Sequence, residues 1–247
     1  MKKILFAIAL AVVATACNKD VEPASATADK GTLAVCLAAT GEVAADGGVT
    51  KVTVPAHDSF NMTIAEMDGT ELYSGTLGEW DATTLYDAGE KRIRLWSGDM
   101  TIEGYDKPYF EGTATATVRG YGLATDVEVA VEVANAAIAI ETTELFDKYF
   151  RTASFHVETA NTPAGIDYDA SAGLLFVAPA AVTVCCAAEG PTGTKYELRQ
   201  TTPVLQPQKR NIVRFDMQSA GNVVVNIEFN NEIIATEIIE VELNDKA

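Results

Sequence analysis

Positive charge is scarce in this sequence of 247 residues. Lys and Arg together number 18 against 35 Asp and Glu, so the formal net charge is −17. Because binding to phosphate backbones needs a basic surface, we expect no nucleic-acid partner. The same balance disfavours adhesion to an anionic membrane surface by charge alone.

Histidine and catalytic motifs are also scarce. Only His57 and His156 occur, so we expect no histidine-rich metal site. The sequence contains no G-x-S-x-G nucleophile elbow, no H-E-x-x-H motif and no P-loop. Acidic residues are abundant and could supply paired carboxylates for glycoside hydrolysis, but no flanking signature marks such a pair. We therefore predict that the protein is not an enzyme and has no catalytic residues, metal or cofactor.

The apolar run at the N-terminus is too short to cross a membrane. Two lysines precede residues 4–16, which are 13 apolar or small residues in a row. As a helix they would reach roughly 20 Å, short of the roughly 30 Å hydrocarbon core of a bilayer. The pattern is typical of a secretory signal peptide, which we assign to residues 1–16.

A cysteine follows this run. Residues 14–17, Ala-Thr-Ala-Cys, resemble a bacterial lipobox, although Ala14 occupies the position where leucine is usual. The resemblance implies lipidation of Cys17 and attachment to a membrane through that lipid. The alternative is ordinary cleavage after Ala16 with a free Cys17. Residues 17–30 are polar, small and proline-containing, which suits a flexible lipidated tether.

Three charged residues after the lipobox carry a second resemblance. Lys19, Asp20 and Glu22 resemble the surface-export signal of Bacteroidetes-type lipoproteins, with Val21 interrupting the acidic cluster. This resemblance implies a lipid-anchored protein of the outer membrane that is exposed at the cell surface.

From residue 31 onward the dominant hydrophobic period is two. Such alternation indicates strands with one buried and one solvated face. Short strands separated by Gly, Asp, Asn and Pro predict antiparallel β-sandwiches, with hairpin turns at residues 46–48, 68–69 and 230–231. The segments that alternate most clearly are residues 113–118, 126–133, 213–218 and 222–229.

The number of strands predicts two domains. Roughly fifteen strands exceed the seven to nine of a typical single sandwich. We therefore expect an all-β protein with two tandem sandwiches, an N-terminal one at residues 31–133 and a C-terminal one at residues 134–247, joined near Asn135. Residues 143–150 (TELFDKYF) are the exception, because they predict one short helix capped by Thr143.

Several of these segments carry a family resemblance. Residues 31–35 (GTLAV), 60–64 (FNMTI), 109–112 (YFEG) and 133–140 (VANAAIAI) resemble, in order and spacing, a family of Bacteroidetes lipoproteins of unassigned function. That family is similar to fimbrillin-type proteins, which are lipidated tandem β-sandwiches that build or cap surface pili. The resemblance implies a fimbrillin-like fold, a structural or adhesive role and pilus subunits as candidate partners.

The resemblance also bears on assembly. Fimbrillin-type subunits polymerise when proteolysis, commonly after an arginine, frees a groove for a neighbour's strand. In this chain the first arginine is Arg92, deep inside the first domain, and only Lys30 precedes the first strand at Gly31. Residues 233–243 are apolar enough to pair within their own sheet. We expect a monomer that acts as an anchor, tip or accessory component and does not form a pilus shaft.

One aromatic segment is a candidate ligand site. Arg94 and Trp96 share the polar face of the predicted strand at residues 91–96. A tryptophan beside an arginine favours cation–π stacking, or stacking on a sugar ring. Tyr105 and Tyr109 follow in a turn-rich segment and extend the candidate site. The pattern leaves open a glycan or host ligand, with a glycan-binding accessory lipoprotein as the alternative function, but the interpretation that we favour is that a loop covers this face and Trp96 belongs to the core.

The remaining cysteines predict little chemistry. Once Cys17 is lipidated, Cys36, Cys185 and Cys186 are left, so at most one disulfide can form. Adjacent Cys185 and Cys186 point to opposite strand faces, where a bridge between them would strain the backbone. We expect them to fill space as small residues, and the spacing suggests no pairing of cysteine with histidine.

Overall fold

The computed structural model describes residues 28–45, 48–220 and 222–239. The predicted signal peptide, the lipidation site Cys17 and the export residues Lys19, Asp20 and Glu22 lie outside the described residues. No described helix is long and apolar enough to cross a membrane.

The described residues form mostly β-strands, which confirms the all-β prediction. The strands up to residue 133 are β1 (Lys30–Ala39), β2 (Glu42–Ala45), β3 (Gly48–Lys51), β4 (Asn61–Glu66), β5 (Glu71–Thr76), β6 (Tyr86–Asp87), β7 (Gly89–Ser97), β8 (Gly104–Tyr105), β9 (Phe110–Val118) and β10 (Ala124–Val133). The later strands are β11 (Ala136–Thr142), β12 (Thr152–Glu158), β13 (Ile166–Asp167), β14 (Leu175–Val177), β15 (Thr183–Glu189), β16 (Lys195–Thr201), β17 (Arg210–Ala220), β18 (Asn222–Phe229) and β19 (Glu232–Ile239). A 3₁₀ turn (His57–Ser59) and one helix, α1 (Glu144–Tyr149), complete the described elements.

The first sandwich consists of a seven-stranded sheet and a hairpin. The strand order is β5-β4-β7-β9-β10-β1-β6, and β2 pairs with β3 beside it. Strands β9 and β10 pair only at the end away from the turn that connects them, where Phe110 lies opposite Val133. The sheet and the hairpin contribute side chains to one core, which includes Leu33 and Val129 from the sheet and Val43 from the hairpin.

The second sandwich packs two sheets against each other. A six-stranded sheet has the order β19-β18-β17-β11-β14-β8, and a four-stranded sheet has the order β13-β12-β15-β16. The two sheets share one core, to which the six-stranded sheet contributes Phe215 and Ile227 and the four-stranded sheet contributes Val157 and Val184. Because every second residue of each strand enters the core, the other faces remain open to polar side chains.

Two strand pairs depart from the predicted antiparallel arrangement. β1 pairs with β10 in parallel, and β11 pairs with β17 in parallel. The alternation of apolar and polar residues is the same in either direction, so it predicts strands without fixing their orientation. Both pairs join strands that are distant in sequence, which leaves room for the crossover that parallel pairing requires.

Helix α1 agrees with its prediction. The Thr143 side chain accepts a hydrogen bond from the Phe146 amide, so Thr143 is the N-cap. Phe146 and Phe150 are buried and Tyr149 packs against the same core, with the Phe146 and Phe150 rings 4.6 Å apart. The helix therefore closes one part of the second core.

The two sandwiches meet at Asn135, which is only 2% exposed between β10 and β11. Its amide nitrogen donates to the Lys107 carbonyl at 2.9 Å, and its side-chain oxygen accepts from the Tyr109 amide at 3.1 Å. Its backbone carbonyl accepts from the Gln208 amide at 3.1 Å. These four residues, Asn135, Lys107, Tyr109 and Gln208, are called the joint below.

Other contacts cross the predicted domain boundary after residue 133. Strand β8 precedes residue 133 in the sequence, yet it pairs with β14 in the second sandwich. Ala137 and Phe176 follow residue 133, yet they pack in the first core. The Ala44 amide donates to the Gln208 carbonyl at 2.7 Å. The domain boundaries at 31–133 and 134–247 remain a prediction, and the contacts across them are extensive.

Candidate functional site

The predicted aromatic site lies on the outer face of the first sandwich, on strand β7. Ile93 and Leu95 point inward and are fully buried, so Arg94 and Trp96 point outward. β7 is paired on both sides, by β4 and β9, and Trp96 lies opposite Glu111 on β9. Hydrogen bonding on both edges fixes the backbone beneath these side chains.

Arg94 is held by three neighbours. Its guanidinium carbon lies 4.7 Å from the centre of the Trp96 ring. Its Nε donates to Glu111 Oε1 at 2.6 Å, and its Nη2 donates to the Tyr109 hydroxyl at 3.0 Å. Burial opposes the charge of Arg94, but the bonds to Glu111 and Tyr109 outweigh it and raise the pKa of the guanidinium. The result is a fixed cation against the face of a half-buried indole.

Only part of the predicted aromatic patch is assembled here. Tyr109 bonds to Arg94 but is 4% exposed, so its ring supports the arginine and cannot present a stacking surface. Tyr105 does not join the patch, because β8 carries it into the second sandwich. There its hydroxyl donates to the Asp167 carbonyl at 3.3 Å and accepts from the Asp169 amide at 2.5 Å. The sequence placed Tyr105 by its proximity to Tyr109 along the chain, whereas strand pairing separates the two.

The second tryptophan, Trp80, shows what a tryptophan that packs against the core looks like in this fold. Trp80 packs against the first core, and its indole N–H donates to the Tyr86 hydroxyl at 3.0 Å. Trp96 is half-buried, and its ring faces Arg94 on the outer surface. Trp80, which is also half-buried, is thus held by the core, whereas Trp96 is stacked against Arg94 on the outer face, and its role as a ligand platform stays a prediction.

An open cleft of about 530 Å³ lies where residues of both sandwiches meet. Its walls come from residues 50–53 around β3, from Asp106 and Pro108, and from Gly173, Leu174 and Phe176 before and within β14.

Sequence reasoning missed two groups of side chains. Glu111 completes the Arg94 site, but only the register of β7 against β9 reveals it. On the second sandwich, one ligand atom each from His156, Glu158 and Cys185 lies within 4.8 Å of the others. The spacing along the chain suggests no pairing of cysteine with histidine, and it does not reveal this proximity. His156 and Cys185 are distant in sequence but directly opposite on β12 and β15.

The two adjacent cysteines do point to opposite faces, as predicted. Cys186 lies in the second core, where burial raises the pKa of its thiol to about 12. Cys185 faces outward, where its sulfur lies 3.3 Å from an Arg199 nitrogen and 3.6 Å from Glu158 Oε1. Burial and the neighbouring Glu158 carboxylate raise the pKa of the Cys185 thiol.

Comparison with known proteins gives one family. The model of DUF4493, a domain of unknown function, matches residues 7–245. Curated proteins give no match. Among solved structures, the fimbrial anchor protein Mfa2 from Porphyromonas gingivalis is similar at 10% identity and a TM-score of 0.42, covering 84% of this chain and 100% of that one. A fimbrial assembly protein from Parabacteroides distasonis is similar at 10% identity and a TM-score of 0.40, covering 73% of this chain and 90% of that one.

Proposed function

The chain belongs to the DUF4493 family, and from this premise we propose that it is a lipid-anchored surface protein of the outer membrane with a structural or adhesive role. In this proposal Cys17 carries the lipid, residues 17–30 form the tether, and Lys19, Asp20 and Glu22 direct export to the cell surface. The two sandwiches form the body that is displayed. Pilus subunits and host or glycan ligands are its candidate partners.

The observation that carries the proposal is the joint. A displayed structural protein must transmit force between its anchor and its far end without its domains separating. Asn135 bonds to both sandwiches through its side chain and its carbonyl, and it is shielded from water. Because buried hydrogen bonds are costly to leave unmade, this connection resists bending and separation.

The strand arrangement supports an accessory component over a shaft subunit. Every residue of β1 pairs with another strand, Lys30 and Gly31 with β6 and the remainder, Thr32 to Ala39, with β10. Arg92 lies on β7 in the middle of its sheet, so cleavage there would cut the first core and would not release a terminal strand. β19 pairs with β18 in its own sheet. Every described strand pairs with another strand, so the described residues contain no unpaired strand to donate to a neighbouring molecule.

The chemistry of the cysteines supports a non-enzymatic role. A nucleophilic cysteine needs a lowered pKa, because the thiolate attacks. Cys185 has a histidine and a carboxylate beside it, but burial and Glu158 raise the pKa of its thiol. The nearest resemblance to a catalytic grouping among the described residues is therefore poorly suited to nucleophilic attack.

Anchoring and display are tested by fractionation of cells. The wild-type protein should partition with outer membranes, carry lipid mass at its N-terminus and be digested when intact cells are treated with protease. Cys17→Ala should release it into the soluble fraction, whereas Cys36→Ala should not. Replacing Asp20 and Glu22 by Ala should protect the protein from digestion while it stays membrane-bound. A wild-type protein without lipid, or one that resists protease on intact cells, would refute the proposal.

A second candidate function is glycan binding, favoured by the Arg94–Trp96 geometry. Glu111 and Tyr109 fix the arginine, so Trp96 is backed by a rigid neighbour and can stack on a sugar ring at little entropic cost. A glycan array should then give a signal that Trp96→Ala abolishes and Tyr105→Phe preserves. An array without signal, or one insensitive to Trp96→Ala, would leave the structural role alone.

A further inference from the structure

Four strands of the second sandwich carry a continuous polar row on their outer face. Asp167 on β13 lies opposite His156 on β12, His156 lies opposite Cys185 on β15, and Cys185 lies opposite Arg199 on β16. Residues directly opposite in an antiparallel sheet point to the same side, with their Cβ atoms about 4.5–5.5 Å apart. Glu158, two residues after His156 on β12, joins the same face.

The row is compact at its centre. His156 Nε2 lies 3.4 Å from Glu158 Oε1, and Cys185 Sγ lies 3.6 Å from the same oxygen. Cys185 is buried although it belongs to the outer face, because its neighbours cover it. The three atoms are an imidazole nitrogen, a carboxylate oxygen and a sulfur, which are the donor types found in zinc sites.

These distances fit a tetrahedral ion. Bonds of about 2.0–2.3 Å from Zn²⁺ to its ligands place two ligand atoms of a tetrahedron about 3.3–3.8 Å apart. The distances from Glu158 Oε1 to His156 Nε2 and to Cys185 Sγ, 3.4 and 3.6 Å, lie within that range. The separation of His156 from Cys185, within 4.8 Å, needs only a side-chain adjustment to close. Three protein ligands leave the fourth position for water, as in open zinc sites.

A glycine helps to set the imidazole. Gly165 precedes β13 with a φ of +85°, and a Cβ atom built there would lie 2.7 Å from His156 Cδ2. A larger residue would push the ring out of its place. The turn before β13 therefore packs against the histidine and limits its orientations.

Arg199 already supplies a positive charge at this place. Its Nη1 donates to Glu158 Oε1 at 2.7 Å, its Nη2 bonds to the other carboxylate oxygen, and Nη1 lies 3.3 Å from the Cys185 sulfur. The Arg199 side chain is largely exposed, so it can turn into solvent without disturbing the core. The net charge of −17 also raises the local concentration of cations near the protein.

From this geometry we propose that His156, Glu158 and Cys185 bind a zinc ion on the outer face of the four-stranded sheet, with Arg199 as the cation that zinc displaces. On binding, the Cys185 thiol proton passes to solvent and the sulfur coordinates as thiolate. Arg199 releases Glu158 and turns outward. The ion would link β12 to β15 on the displayed surface.

The test is a titration of purified protein with Zn²⁺ alone, followed by calorimetry and by competition with a chromophoric chelator. We expect one ion per chain. Cys185→Ser and His156→Ala should each weaken binding by at least about 100-fold, because even outer-shell partners of zinc ligands are worth about 10–100-fold. Substitution with Co²⁺ should give a sulfur-to-metal absorption band that Cys185→Ser removes.

Matched variants separate this site from incidental binding. His57 is the other histidine and bonds to the Asp58 carboxylate at 3.1 Å, so His57→Ala should leave zinc affinity unchanged. Arg199→Gln should strengthen binding by up to about fivefold, because zinc no longer has to displace an exposed ion pair. Circular dichroism establishes that each variant is folded. Absence of stoichiometric binding, or equal binding by wild type and folded Cys185→Ser, would overturn the proposal.

Discussion

The two sandwiches share two features but differ in their sheets and in the side chains on their outer faces. Each has a parallel pair, β1 with β10 and β11 with β17, and each has an arginine bonded to a glutamate on a neighbouring or nearby strand. In the first sandwich the arginine, Arg94, faces an indole and a tyrosine hydroxyl. In the second, Arg199 faces a thiol.

The two arginines differ in exposure and in their partners. If Arg94 left, the buried Tyr109 hydroxyl would lose one of its hydrogen-bond partners and Glu111 would lose its ion pair, so we expect Arg94 to be a fixed part of this surface. Arg199 is more exposed than Arg94. Its partners, Glu158 and Cys185, could bind another cation in its place. We therefore expect Arg199 to be the more readily displaced of the two arginines.

The largest effect is expected from substitutions in the cores, which test whether the two sandwiches unfold together. Phe215 is fully buried in the second core, so Phe215→Ala should lower the free energy of unfolding by about 3–5 kcal/mol. Both tryptophans, Trp80 and Trp96, belong to the first sandwich, so tryptophan fluorescence reports its unfolding. If the joint couples the two, the fluorescence midpoint in urea should fall in Phe215→Ala as it does in Phe60→Ala, the matched variant of the first core. A fluorescence midpoint that ignores Phe215→Ala would mean independent sandwiches.

A slightly smaller effect on the free energy of unfolding is expected from the ionisation of Cys186, a buried thiol of the second core, at alkaline pH. Burial raises the pKa of Cys186 to about 12 from an ordinary 9. Between these pH values the thiol ionises in the unfolded chain but not in the folded one, so the free energy of unfolding falls as pH rises, by up to about 4 kcal/mol. Cys186→Ala should show a shallower alkaline decline in urea unfolding, and Cys36→Ala should keep the full decline. Equal slopes in all three proteins would contradict burial of the neutral thiol.

The smallest effect compares the two arginines. Arg94→Ala should cost about 1–2 kcal/mol, because it removes the contact with Trp96 and a partner of the buried Tyr109 hydroxyl. Arg199→Ala should cost less, because its ion pair is open to solvent and screened by salt. Urea unfolding at low and high salt measures both. A larger loss for Arg199→Ala would reverse the contrast drawn between the two faces.

Local features of the fold followed from the sequence, and features that depend on strand pairing did not. The Thr143 cap, the turns at residues 68–69 and 230–231 and the alternating faces of β10 and β17 depend on neighbouring residues, so local pattern predicted them. The parallel pairs could not be predicted, because alternation carries no direction.

The candidate sites divide in the same way. Arg94 and Trp96 are two residues apart on one strand, so alternation placed them together. The meeting of His156 with Cys185, and the transfer of Tyr105 to the second sandwich, depend on which strands become neighbours and in what register. Register is set by the packing of the whole sheet, which one segment of sequence does not contain.

Whether the joint makes the two sandwiches one body is tested most directly by scanning calorimetry of the wild-type and Asn135→Ala proteins. We expect the wild type to unfold in one transition whose van't Hoff enthalpy equals the calorimetric enthalpy. Asn135→Ala leaves the Tyr109 amide and the Lys107 carbonyl without their side-chain partner, which should cost about 2–4 kcal/mol and split the transition in two. Two separate transitions in the wild type, or a single transition in Asn135→Ala at an unchanged Tm, would contradict a load-transmitting joint.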